Sequence, residues 1–359
     1  MRFHQFNFRS PILFLTIFLI TTAFLGTSTV LAKDVNIKIA HVDTPIKLNL
    51  SSTNGEFGSC DIKALGFKNI VEKRSEGRFK VKILPAGQLG GEREMIEMTK
   101  MGSLEMNACS AAPLANFAPE VMALQIPYIF KDENVGLKVM NGPLGQEMNE
   151  MIAKKTGLRI LAWNFEGYYN IGNVKKPIRL PGDLKGLKIR VSESPNTVEI
   201  LKLTGGIPTP IPFTEVYTTL QQGVVDGVMT GIAFHDIMKT HEIIKYYTVS
   251  NAWFGWSPIM ANEKFYQSLS PEDRYLVTTA AIQSMVSHQG LLYWGRDLWI
   301  EKFQNKGIKF AFLTPAEQEE WVKTLRQPMI EWTKKQIGAE WVDKVLKASE
   351  QAEKELYGN

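Results

Sequence analysis

From Val35 onward the chain alternates short apolar runs with stretches of helical periodicity, and that alternation leaves few folds open. Parallel strands need crossovers long enough to hold a helix, so such a pattern reads as α/β units on largely parallel sheets. Strands are predicted at residues 35–40, 79–84, 104–109, 158–162, 187–191, 224–229, 247–250, 257–261 and 308–312, with helices in the gaps. Two stretches share one order: strand, Pro85, a helix over 92–100, Gly102, then Leu104-Glu105; and strand, Pro212, a helix capped by Thr214, Gly223, then Val225-Asp226. The repetition points to two similar lobes, although any α/β chain repeats units of this kind.

Two helix starts are strongly marked. Ser270-Pro271-Glu272-Asp273 and Thr314-Pro315-Ala316-Glu317 each carry a hydroxyl cap, Pro at the first helical position and a carboxylate at the third. The first opens a pattern that runs to about residue 306, long enough to span both lobes. The last segment places Trp321, Leu325, Trp332, Trp341 and Leu346 on helical faces, with breaks expected near Pro328 and Gly338. A tryptophan stripe at that spacing reads as packing.

At 359 residues the chain is long enough for two cores. Arg2 and Arg9 flank the start of an apolar run, residues 12–25, followed by small residues and Val30-Leu31-Ala32. This reads as a secretory signal peptide over residues 1–32, cleaved after Ala32, with an uncleaved membrane anchor as the rival. Removing it leaves 39 basic against 37 acidic side chains, interspersed and without a basic block, so nothing marks a nucleic-acid binder. The only cysteines are Cys60 and Cys109, too few for a disulfide scaffold; one bridge or two buried small hydrophobes are both open.

Arg190 stands out chemically. In the strand 187–191, Leu187, Ile189 and Val191 take one face while Lys188 and Arg190 take the other, which leaves a guanidinium at a strand end. Ser194 is placed as the cap and Pro195 as the first residue of the next helix, aiming its N–H groups at the same spot. Such an arginine either holds an anion or pairs with a structural carboxylate. No phosphate-binding or dinucleotide glycine motif occurs, the histidines lack metal-site spacing, and no serine stands in a nucleophile elbow. Cofactor, metal and catalysis are therefore unsupported.

The residues Pro85-Ala86-Gly87-Gln88-Leu89-Gly90, Ile126-Pro127-Tyr128-Ile129-Phe130, Leu184-Lys185-Gly186-Leu187, Pro212-Phe213-Thr214-Glu215 and Gln221-Gln222-Gly223-Val224-Val225-Asp226-Gly227 arrive in one order. Together they resemble the dicarboxylate-type solute-binding proteins of TRAP transporters. The resemblance implies a two-lobed periplasmic receptor with hinge strands and a long lobe-spanning helix, closing on a small organic acid. It implies no enzyme activity, and as partners a TRAP permease of one small and one large membrane subunit. Arg190 matches the family arginine that pairs with the ligand carboxylate, and Phe213 an aromatic residue beside the ligand. Two departures follow. Where the family usually shows Gln-Glu-Asn-Pro, this chain has Val228-Met229-Thr230-Gly231, putting Thr230 in the asparagine's place. Where many members carry a second arginine, this chain has Tyr169, which argues against a dicarboxylate and for a small monoanion, a carboxylate or a sulfonate.

The expected ligand-binding set is Arg190, Thr230, Phe213, Tyr169, Ser110 and Trp256, with Glu193, Gln88 and His41 as further candidates from strand-end loops. Lobe 1 is expected over 33–157 and 248–275, lobe 2 over 158–247 and 276–359, in a monomer. The alternatives are a receptor for another permease type and a secreted hydrolase using Asp or Glu side chains.

Overall fold

The computed structural model describes residues 33–42 and 61–358. The signal-peptide segment and Cys60 lie outside the described residues, whereas Cys109 is buried in a core. In chain order the strands are β1 (Val35–Ala40), β2 (Phe79–Leu84), β3 (Met106–Asn107), β4 (Leu158–Ala162), β5 (Phe165–Asn173), β6 (Lys188–Val191), β7 (Ile207–Pro210), β8 (Gly227–Thr230), β9 (Tyr246–Trp256), β10 (Ile259–Asn262) and β11 (Lys309–Phe312).

They sort into two sheets, β2-β1-β3-β10-β4 and β11-β9-β5-β8-β6-β7. In the first, β1 runs parallel to β2 and β3, and β10 is antiparallel to β3 and β4. In the second, β7, β6 and β8 are parallel, β5 is antiparallel to β8 and β9, and β11 pairs parallel with β9. At the edge strand β2, Phe79 and Val81 are buried while Lys80 and Lys82 face water, the alternation that stops an edge from recruiting another chain.

The chain passes between sheets three times, the last from β10 to β11 by way of the long helix Pro271–Asn305. β4 leads through Trp163-Asn164 into β5, and β9 returns through Ser257-Pro258 into β10, these first two passages being tied by the Ser257 N–H donating to the Asn164 carbonyl at 2.9 Å. The expected lobe boundaries fell at 157/158 and 247/248; the strand pairing moves them, since β4 belongs to the first sheet and all of β9 to the second.

The long helix Pro271–Asn305 is present, with the Ser270 hydroxyl accepting from the Asp273 N–H at 3.1 Å. Its early turns bury Val277, Ala280 and Ala281 with the first sheet, and Phe303 joins the core of the second, so it braces both over roughly 50 Å. Thr314 forms the expected capping box with Glu317. The helix it opens, Pro315–Ile337, runs through Pro328 and stops only at Gly338, whose φ of 81° ends the helical path. Trp321, Leu325 and Trp341 are buried, with Trp332 and Leu346 against the same core, as packing predicts.

β5 was absent from the sequence expectation, and β7 was expected only as a strand ending before Pro212, without bounds. β7 reads Ile-Pro-Thr-Pro, and two prolines in four residues argue against a strand except at an edge, which is where it sits. β5 holds Gly167 and Gly172 and breaks register twice against β9, which erases the apolar alternation by which strands are recognised.

Candidate ligand-binding site

The carboxyl ends of β6 and β8 face the first sheet across a small pocket. Arg190, next to last in β6, is only 2% exposed, and its Nε–H donates to the Ile211 carbonyl at 2.9 Å, which fixes the plane of the guanidinium. Among the described residues no carboxylate lies within 4.0 Å of its nitrogens, so Arg190 lines the pocket without an acidic partner at ion-pair distance. Burial pushes its pKa down, against the fields of Tyr169, Glu92 and Glu193 that push it up. A desolvated, unneutralised cation is stabilised by any anion that can reach it.

Two hydroxyls flank it. Thr230 ends β8 and Ser192 follows β6; both are buried, line the pocket, and give their side-chain oxygens no hydrogen bond to a described residue. Phe213 and Phe234 stand at right angles with centroids 5.8 Å apart and supply the apolar wall. Tyr169 also lines the pocket, but its OH donates to Glu166 Oε1 at 2.6 Å, and burial followed by the Glu166 charge holds the phenol far above its usual range. Its proton is thus committed to the protein, leaving only a lone pair for a ligand.

The first sheet contributes the opposing wall. Ser110, just after β3, donates both its N–H (2.6 Å) and its hydroxyl (3.1 Å) to the buried Glu92 carboxylate. Lys63, from the helix Asp61–Arg74, is 1% exposed and donates to the Ala108 carbonyl at 3.4 Å and to the Ser257 hydroxyl. The pocket is therefore lined by two cations, Lys63 and Arg190, and two carboxylates, Glu92 and Glu166, each carboxylate already holding a hydroxyl. The space between these walls is about 20 Å³, room for one or two atoms, so a larger guest requires the walls to part.

Of the expected set, Arg190, Thr230, Phe213, Tyr169 and Ser110 come together here. Trp256 does not: it is stacked on Phe254 and edge-on to Phe130 and Trp163, with its indole N–H donating to the Leu124 carbonyl, and so belongs to the core. Gln88 is exposed, His41 is buried outside the lining, and Glu193 is half-buried beyond the wall, with burial raising its pKa. Ser194 stands at the cap position before Pro195, yet its hydroxyl donates to the Asn196 side chain and caps nothing. Lys63, Glu92, Glu166, Ser192, Phe234 and Ser257 were missed. For Lys63 a signal existed: it shares an i, i+4, i+8 face with the fully buried Phe67 and Val71.

A family model described as bacterial extracellular solute-binding protein, family 7 (DctP), matches residues 58–336. This chain belongs to the DctP family. A solute-binding protein of Verminephrobacter eiseniae is 33% identical over 244 residues, covering 68% of this chain and 72% of that one. Among solved structures, a TRAP periplasmic solute-binding protein from Polaromonas sp. JS666 bound to D-erythronate is 28% identical at a TM-score of 0.79, covering 87% of this chain and 98% of its own. A sugar acid binding protein from Advenella mimigardefordensis in complex with galactonate is 27% identical at 0.80, covering 89% and 99%. The DctP protein described above thus has the two-lobed fold of TRAP solute receptors, as its motifs implied.

Proposed function

We propose that this DctP protein is exported through a cleaved leader over residues 1–32 and captures a small organic monoanion between its lobes for delivery to a TRAP permease. Arg190 carries the reading: a buried arginine lining the pocket, with no acidic partner within 4.0 Å among the described residues. Arg190 grips the acid group in a two-point geometry that lysine cannot reproduce. Thr230 and Ser192 bond the remaining polar atoms, Phe213 and Phe234 cover the carbon chain, and Lys63 reaches the ligand from the other lobe.

The departure at Tyr169 removed one cation from the family pattern, and Lys63 supplies another, but Glu92 and Glu166 offset the pair. One extra negative charge suits that balance better than two. The two structures described above hold D-erythronate and galactonate, each with a single carboxylate and several hydroxyls, in keeping with the same class, whereas a 26% identical protein from Sulfurospirillum deleyianum holds succinate. Because the ligand touches both lobes only when they are closed, binding selects the closed state.

The test is a thermal-shift panel of hydroxy acids, including D-erythronate and galactonate, beside dicarboxylates and sulfonates. A saturable rise with a monoanion, and its recovery unchanged after incubation, is the expected result. A rise with dicarboxylates alone, or conversion of the acid, would overturn the reading.

A further inference from the structure

Across β5 from the acid pocket lies a larger chamber of about 320 Å³. Tyr168 and Asn170 line it while the intervening Tyr169 lines the acid pocket, as alternation along a strand requires. Its other walls come from β9, the helix Ile232–Ile237 and the later turns of the long helix. Rings dominate the lining: Phe165, Tyr168, Tyr247, Tyr293, Trp299 and Phe312.

The polar groups have one sign in excess. Glu133, Glu166 and Asp297 stand against Arg296, and Arg296 already points its Nε at Asp297 Oδ1, 3.3 Å away. Glu133 is half-buried and accepts from the Tyr168 hydroxyl at 2.9 Å, and no basic side chain lies within 4.0 Å of it among the described residues. The Tyr293 phenol neighbours the same carboxylate; burial and then the Glu133 charge push its pKa up to about 12. Tyr247, 1% exposed, also lines the chamber, with the Asn170 side chain as its polar neighbour.

A carboxylate between two phenols, beside a chamber walled by aromatic rings, has the chemistry of an organic-cation site. Ring faces attract a cation, the carboxylate supplies its counter-charge, and the volume suits a molecule of about ten heavy atoms. An anion would meet excess negative charge, and a neutral guest would strip water from Glu133 without replacing it. We propose that this chamber binds a small organic ammonium, its charged end at Glu133 between Tyr168 and Tyr293 and its hydrocarbon body against Trp299.

Phenethylamine is the probe and phenethyl alcohol the neutral control, each titrated into the secreted protein by calorimetry and by tryptophan fluorescence, which Trp299 reports. The expected result is saturable one-to-one binding of the amine in roughly the millimolar range or tighter, with the alcohol about tenfold weaker or worse. Glu133→Gln keeps an oxygen acceptor for Tyr168 and should bring the amine down to the level of the alcohol. Ala233→Leu fills the chamber and should abolish both; if it does not fold, Tyr293→Ala, on an exposed turn of the long helix, should weaken the amine alone. No saturable response, equal binding of amine and alcohol, or an amine affinity untouched by Glu133→Gln would each overturn the proposal.

Discussion

Replacing Arg190 by methionine separates two roles that the same buried guanidinium could serve. Had it been one half of a structural ion pair, the substitution would strand a carboxylate and cost about 3 to 5 kcal/mol of stability. The structure offers no such partner among the described residues, and burial already disfavours the charge. Losing the Nε–H donor leaves the Ile211 carbonyl short of one hydrogen bond, about 1 kcal/mol, and the relieved desolvation is of similar size with opposite sign. The melting temperature without ligand should therefore stay within a few degrees of the parent or rise. Affinity behaves differently. A desolvated charge pair that loses one member forfeits about 2 to 5 kcal/mol, which is roughly a 30- to 5000-fold weaker dissociation constant for the best acid of the panel. Arg190→Lys should fall between, keeping the charge but not the fork. Calorimetry and thermal denaturation on the same samples decide it: a protein losing roughly 3 kcal/mol of stability while binding the acid as before refutes the reasoning.

Three further expectations rest on other parts of the site. Lys63→Met should weaken acid binding by about 1 to 3 kcal/mol, because it removes the cation contributed by the first lobe; an unchanged calorimetric affinity would show that Lys63 serves only Ser257 and Ala108. Gly87 has a φ of +63°, and a β-carbon there would stand 2.5 Å from Thr214 Cγ2 across the cleft. Gly87→Ala should cost about 1 kcal/mol of backbone strain yet mainly oppose closure, seen as weaker acid binding and no ligand-induced contraction in small-angle scattering. If contraction persists at parental affinity, the contact is unimportant. Finally, His235 and His288 are fully buried, and burial depresses both pKa values, that of His235 to about 3. As pH falls through about 6.5 the unfolded chain takes up these protons first, so stability present above that pH drains away until the folded-state pKa is reached. Urea melts at pH 7 and pH 5 should differ by up to about 2 kcal/mol per histidine, and equal stabilities would refute the assignment.

What was legible beforehand was whatever local patterning dictates. The α/β order, the long helix with its serine cap, and the strand-end place of Arg190 follow from periodicity and capping chemistry, whereas Thr230 and Phe213 were singled out by the resemblance to TRAP receptors; the three side chains line one pocket. The misses share a cause: their meaning is set by neighbours distant in sequence. Glu92 and Glu166 become site residues only because Ser110 and Tyr169 reach them. Lys63 shares a helix face with buried Phe67 and Val71, but its place at the pocket is set by Ala108 and Ser257, far along the chain. Trp256 was expected at the pocket because aromatic residues cluster near it in sequence, but its ring packs with Phe254 and Trp163 instead. Trp163 and Phe254 make up the same aromatic core, so richness in rings marked a packing centre and not a binding wall.

The threefold passage of the chain between sheets has an evolutionary corollary. Because each sheet is stitched from separated segments, no single cut yields a self-sufficient half, and neither lobe can be traded between relatives as a cassette. Ligand preference in such a protein has to drift by point replacements at pocket positions such as Thr230 and Tyr169, while the stitched framework is inherited whole.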